Sequence, residues 1–136
     1  MNYEFIEQDK AQVCEKILRS LPGWFGIESA IVDYAKDVQA MPMIVACDRS
    51  EIVGFLSLNL HNKFTAEIHV MGILPSHHRR GIGRQLVKHA VDYLQSKKFV
   101  YLSVKTLSES RPNKEYDQTR MFYYEVGFLP RASSAI

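Results

Sequence analysis

The sequence predicts an α/β protein: a mixed central sheet with helices packed on it, in the order β-α-α-β-β-β-α-β-α-β. Three observations carry that reading. Two helical stripes give way to three β-rich runs joined by short turns. The strongest amphipathic stripe of the chain follows directly. One more β-rich run comes after it, and a strand–helix–strand connection of this kind makes a parallel, right-handed crossover.

Residues 3–6 form a short first strand. Asp9 stands at a helix N-cap position with Gln12 three residues on. Val13, Cys14, Ile17, Leu18 and Leu21 follow at helical spacing, and Pro22 stops the helix. Ile27, Ala30, Ile31, Tyr34 and Val38 make the second stripe. Residues 43–48 are β-rich, Arg49-Ser50 turns, and residues 52–60 are expected to set Ile52, Gly54, Leu56, Leu58 and Leu60 on one face. His61-Asn62-Lys63 turns again into residues 64–74, ended by Pro75. Turns this short imply an antiparallel meander.

Over residues 81–96, Ile82, Leu86, Val87, Ala90, Val91 and Leu94 line one helix face, with Arg84, Lys88, His89, Asp92 and Gln95 opposite. Residues 99–104 make the next strand. Residues 116–126 make a last helix, with Gly127 suited to its C-terminal end. Phe128-Leu129 begins a final strand, and residues 132–136 read as a small-residue tail.

A chain of 136 residues is the size of one domain, residues 1–136. Its 46% hydrophobic and 24% charged content excludes disordered and fibrous classes. No apolar run approaches the ~20 residues of a membrane span. The N-terminus lacks the basic start and apolar centre of a signal peptide. Two cysteines, Cys14 and Cys47, make neither a disulfide framework nor a four-cysteine zinc site. The expectation is a soluble cytoplasmic protein, away from membranes.

A net charge of +2 argues against bulk nucleic-acid binding. Yet His77, His78, Arg79, Arg80, Arg84 and Lys88 cluster with no acid among them, which suggests a small polyanion. No metal is expected: His77 and His78 are adjacent, so their side chains diverge, and no Cys or carboxylate stands at ligand spacing. Cys47 reads as a small hydrophobe rather than an acyl carrier.

The chemistry concentrates in His78-Arg79-Arg80-Gly81-Ile82-Gly83-Arg84, between a strand and the strongest helix. Gly81 and Gly83 let the backbone turn tightly with its N–H groups inward. The helix start adds free N–H groups and the positive end of a dipole. With the arginines, this makes a pyrophosphate cradle. A Walker loop is excluded, since no Gly-Lys-Ser/Thr is present. A dinucleotide fingerprint is excluded because Leu86 stands where its third glycine would fall.

These residues resemble the signature of the GNAT superfamily of acetyl-CoA-dependent N-acetyltransferases, Gln/Arg-x-x-Gly-x-Gly/Ala, with His78 in place of the usual Gln or Arg. The element order resembles that family over nearly the whole chain. The resemblance implies acetyl transfer from acetyl-CoA, as cosubstrate, to a primary amine of a small molecule by direct attack in a ternary complex. It also implies that residues 78–84 hold the pyrophosphate. The stretch Phe122-Tyr123-Tyr124-Glu125-Val126-Gly127-Phe128 resembles the family's last helix, which implies Tyr123 as general acid toward the leaving thiolate.

Residues 67–73 resemble the family's fourth strand, which implies Glu67 as proton acceptor and backbone contacts from Met71 and Ile73 to the pantetheine arm and acetyl carbonyl. Period two puts His69 on the same side as Glu67, so either residue can accept the proton. Trp24 and Phe25 fall where the family shapes its acceptor site. The other reading is a non-catalytic acyl-CoA-binding module on the same fold. The family closes with two strands, whereas only nine residues follow Gly127 here. That shortened end is expected to leave the strand at residues 99–104 uncovered, with a homodimer partner as one way to cover it.

Overall fold

A computed structural model describes residues 1–104, Phe122 and residues 133–135. Strands β1 (Asn2–Ile6), β2 (Met43–Asp48), β3 (Glu51–Leu60), β4 (Thr65–Ile73), β5 (Tyr101–Val104) and β6 (Ser133–Ala135) form one six-stranded sheet in chain order. Helices α1 (Lys10–Arg19) and α2 (Glu28–Val38) cover one face, and α3 (Ile82–Ser96) covers the other. The meander is antiparallel as expected, and β4 and β5 are the parallel pair that the α3 crossover requires.

Each helix buries the stripe its spacing dictates. Cys14, Ile17 and Leu18 of α1 and Ile31, Ala35 and Val38 of α2 pack on Val45, Phe55 and Val70. On the other face, Ile82, Leu86, Val87, Ala90 and Leu94 of α3 pack on Ile44, Leu56, Leu58, Ile68 and Leu102. Burying one such side chain is worth roughly 1.5–3 kcal/mol, so α3 is a rigid base for the loop at its N-terminus.

Two register shifts break strict alternation. Between Ala46 and Cys47 the pairing moves so that Val53 of β3 is extra, and Ile52 packs on the α1/α2 cluster instead of with Leu56 and Leu58. The expected single face from Ile52 to Leu60 is therefore divided. On β4, Ser57 pairs with Val70 and Leu58 with Ile68, which leaves His69 as the extra residue. Ile68 faces α3, Val70 faces α1 and α2, and Met71 and Ile73 return to the α3 side.

Further expectations are corrected. Asp9 precedes α1 but makes no side-chain cap; its backbone is left-handed, at φ 63°. Ile27 is 67% exposed, outside the buried stripe of α2. The tail does not leave β5 bare: β6 pairs with it antiparallel, Tyr101 opposite Ala135. A partner subunit is thus not needed to cover that edge. The last helix expected over residues 116–126 lies outside the described residues except at Phe122, which is helical, and the Phe128-Leu129 strand lies outside them too.

Candidate active site

The site begins where β4 passes to α3 through one 3₁₀ turn, Pro75–His77. Gly81 sits at the N-cap of α3 with φ 77°, and a Cβ there would meet nothing within 4 Å. Conformation, not space, demands glycine at this position. Arg79 is left-handed too, at φ 60°. Alternation of this kind curls backbone N–H groups into an anion-binding concavity. The first bond of the helix runs from Gln85 N–H to the Gly81 carbonyl at 3.1 Å, and among the described residues nothing accepts from the N–H groups of Ile82, Gly83 and Arg84. Arg79, Arg80 and Arg84 are exposed, and none pairs with a carboxylate among the described residues. Free donors, a dipole and three guanidiniums fit a pyrophosphate.

Gly83 has a different reason to be small. It is buried, and a Cβ would lie 3.0 Å from Phe122 Cζ and 3.3 Å from Ile73 Cδ1. The residue lets α3 close on β4 and seats Phe122 against the first turn of the helix.

Two histidines fix the approach to this loop. His78 donates its Nε2–H to the Ile73 carbonyl at 2.7 Å, and Trp24 meets its ring edge-on at 5.8 Å. His78 thus ties the loop to the end of β4. His77 Nε2 lies 2.9 Å from Asp48 Oδ2, while Ser76 Oγ lies 2.8 Å from His77 Nδ1. The hydrogen bond from His77 holds the Asp48 carboxyl below its ordinary range; burial opposes this, and the charges of His77, Arg80 and Arg49 add to it. The tie to Asp48 was not legible in the sequence, because nothing in spacing links residue 77 to residue 48.

Strand β4 presents its backbone. Leu74 donates its N–H to the Val53 carbonyl on β3 at 2.8 Å. Alternation then turns the N–H and C=O groups of Met71 and Ile73 away from β3. On that side the described part of β5 pairs only with Thr65 to Ile68, so β4 runs on past it. A strip of backbone donors and acceptors therefore leads toward the cradle, with the Ile73 carbonyl already taken by His78.

Glu67 and His69 lie on the α1/α2 face of β4. Glu67 is half-buried and faces His61, Oε1 to Nε2 3.6 Å. His69 is deeper: its side chain is 10% exposed, its Nε2 lies 3.2 Å from Asp37 Oδ2, and Tyr34 meets its ring edge-on at 5.4 Å. Phe25 packs on Tyr34 at 5.9 Å. The loop carrying Trp24 and Phe25 therefore spans from His78 to the surroundings of His69.

Other chemistry is weaker. Burial pushes the Cys14 thiol up to about 12, and burial together with Glu4 raises that of Cys47, so neither is an activated nucleophile. Among the described residues no three His, Cys, Asp or Glu side chains gather at metal-ligand distance, and no helix is long and apolar enough to cross a membrane. Tyr123 lies outside the described residues.

The family model for the acetyltransferase (GNAT) family matches residues 11–128. The chain belongs to the GNAT acetyltransferase family. Solved structures agree on the fold of this acetyltransferase. An aminoglycoside 6′-N-acetyltransferase complexed with coenzyme A is 17% identical at TM-score 0.72, over 93% of this chain and 84% of that one. A candidate GNAT-family acetyltransferase from Desulfovibrio desulfuricans is 15% identical at TM-score 0.76, over 94% and 84%. Another aminoglycoside N-acetyltransferase, AAC(6′)-Iy, in complex with a bisubstrate analogue of coenzyme A and acetylneamine, is 13% identical at TM-score 0.69, over 96% and 91%. No curated protein matches the sequence.

Proposed function

We propose that this acetyltransferase moves the acetyl group of acetyl-CoA to a primary amine of a small molecule, by direct attack in a ternary complex. The observation that carries the reading is the start of α3: among the described residues its three first backbone N–H groups have no acceptor and the three arginines beside them pair with no carboxylate. Residues 78–84 hold the pyrophosphate. His78 contributes by fixing the loop, and Gly83 by admitting the close contact of α3 with β4. The Met71 and Ile73 backbone guides the pantetheine arm and steadies the oxyanion that develops on the thioester carbonyl.

The amine loses its proton toward the face of β4 that carries Glu67 and His69. Tyr123 protonates the departing thiolate; Phe122, its chain neighbour, seats against Gly83. The aminoglycoside in the name of one structural relative and the acetylneamine part of the bisubstrate analogue bound to another favour a small amine acceptor. The aromatic and acidic surroundings of His69, with Tyr34, Phe25 and Asp37, suit such a cation. Neutral thiols also support direct transfer over a cysteine acyl-enzyme.

Thiol release from acetyl-CoA, scanned across amines, tests the proposal. Amine-dependent release with an acetylated product is expected. Tight coenzyme A binding with no release for any amine would favour the binding-module reading instead.

A further inference from the structure

We infer that Asp37 and His69 form the proton acceptor of the acetyl-transfer site, with His69 Nδ1 taking the proton from the attacking amine. The inference rests on the acetyl-transfer reading above and names the group that reading leaves open.

His69 is the extra residue at the β4 bulge, so its side chain joins Val70 on the α1/α2 face. A ring nitrogen 3.2 Å from a carboxylate oxygen is a donor, so Nε2 carries a hydrogen toward Asp37. The neutral imidazole then has its lone pair on Nδ1. That atom is buried and has no hydrogen-bond partner among the described residues, in a side chain that is 10% exposed. Leaving such an acceptor unpaired costs about 1–3 kcal/mol, so it is built for a partner. The Ser57 hydroxyl is a second buried orphan. It pairs across the sheet with Val70, the residue after His69, on the same face. The pairing thus sets two buried polar atoms, both unpaired among the described residues, at neighbouring positions of one face. Glu67, by contrast, already faces His61.

The proton balance closes. The neutral amine attacks the thioester carbonyl carbon and an N–C bond forms. The N–H proton passes to His69 Nδ1, and the carboxylate of Asp37 offsets the imidazolium. The C–S bond then breaks with its electron pair on sulfur, and coenzyme A leaves. Asp37 acts through His69 as a positioning residue: it fixes the tautomer and the ring angle.

Two measurements on the full chain test this. The first is the long-range ¹⁵N–¹H spectrum of the imidazoles. His69 should show hydrogen on Nε2 and a bare Nδ1, and D37N should lose that single tautomer. Hydrogen on Nδ1 overturns the inference. The second is steady-state turnover of acetyl-CoA with neamine and with tyramine. H69Q keeps a donor for Asp37 but has no base. It should lower kcat by about a hundredfold, with coenzyme A affinity unchanged by calorimetry, which also certifies its fold. D37N should lower kcat roughly tenfold without raising the KM for acetyl-CoA. E67Q should cost less than H69Q. Wild-type turnover with H69Q equally active overturns this inference alone. Wild type inactive on both amines overturns the acetyl-transfer reading on these acceptors, and this inference with it.

Discussion

His78 and Ile73 are joined by a 2.7 Å hydrogen bond from Nε2–H to the backbone carbonyl, which fastens the anion loop to the strand that would guide pantetheine. The role needs a side-chain donor, and the imidazole supplies it where the family signature carries Gln or Arg. His78→Gln should therefore keep the KM for acetyl-CoA close to wild type. His78→Leu should raise it roughly three- to tenfold, the worth of one hydrogen bond. Equal behaviour of the two variants in steady-state kinetics would assign the histidine to packing against Trp24 alone.

The two glycines should fail differently. At Gly81 an alanine meets no atom but is forced to φ 77°, a strain of about 1–2 kcal/mol. At Gly83 an alanine presses on Phe122 and Ile73 at 3.0 and 3.3 Å, and overpacking costs about 1–3 kcal/mol. Urea unfolding should show both losses. Relieving the contact with Phe122→Leu should restore stability to Gly83→Ala and not to Gly81→Ala.

Asp48 sets a pH dependence. Its carboxyl lies below the ordinary range in the folded protein, first because of the bond from His77. A depressed carboxylate contributes stability above its unfolded pKa of about 4 and loses it as pH falls through the folded value. The melting temperature of wild type should thus exceed that of Asp48→Asn at neutral pH, and the two should converge in acid below pH ~4. A gap that widens on acidification would contradict the assignment.

Tyr123→Phe should lower turnover about a hundredfold or more while acetyl-CoA affinity stays nearly intact, since it removes a proton donor and little volume. Cys47→Ser should remain active in the same assay. A loss in Cys47→Ser accompanied by an acetylated wild-type intermediate in mass spectra would replace direct attack with a covalent route.

Much of the fold was legible because the signals were local. The α3 stripe from Ile82 to Leu94, the turns at Arg49 and Asn62, and the Gly81 start each rest on neighbours a few residues apart. The bulges at Val53 and His69 were not legible, because a register shift belongs to the pairing of two strands. The cover of β5 by β6 was missed for a related reason: Ser133 to Ala135 has no strand-like pattern and is ordered by the edge it meets. In the site, the proposed cradle residues lie in one run, so their spacing was legible. The partners of its histidines, Asp48 and Asp37, lie 29 and 32 residues away and only folding brings them in. Proximity of Gly83 to Phe122 likewise changed its meaning, from open approach to close packing.

The pyrophosphate cradle at the start of α3 is the central claim, and calorimetric titration of coenzyme A beside pantetheine tests it most directly. Pantetheine keeps the thiol arm and lacks the pyrophosphate with its 3′-phosphoadenosine, so the Arg84 variant supplies the part of the gap that belongs to the start of α3. Coenzyme A should bind at least about a hundredfold tighter, or roughly 2.7 kcal/mol, and Arg84→Ala should narrow that gap without changing pantetheine. Equal affinity for the two ligands would contradict the account.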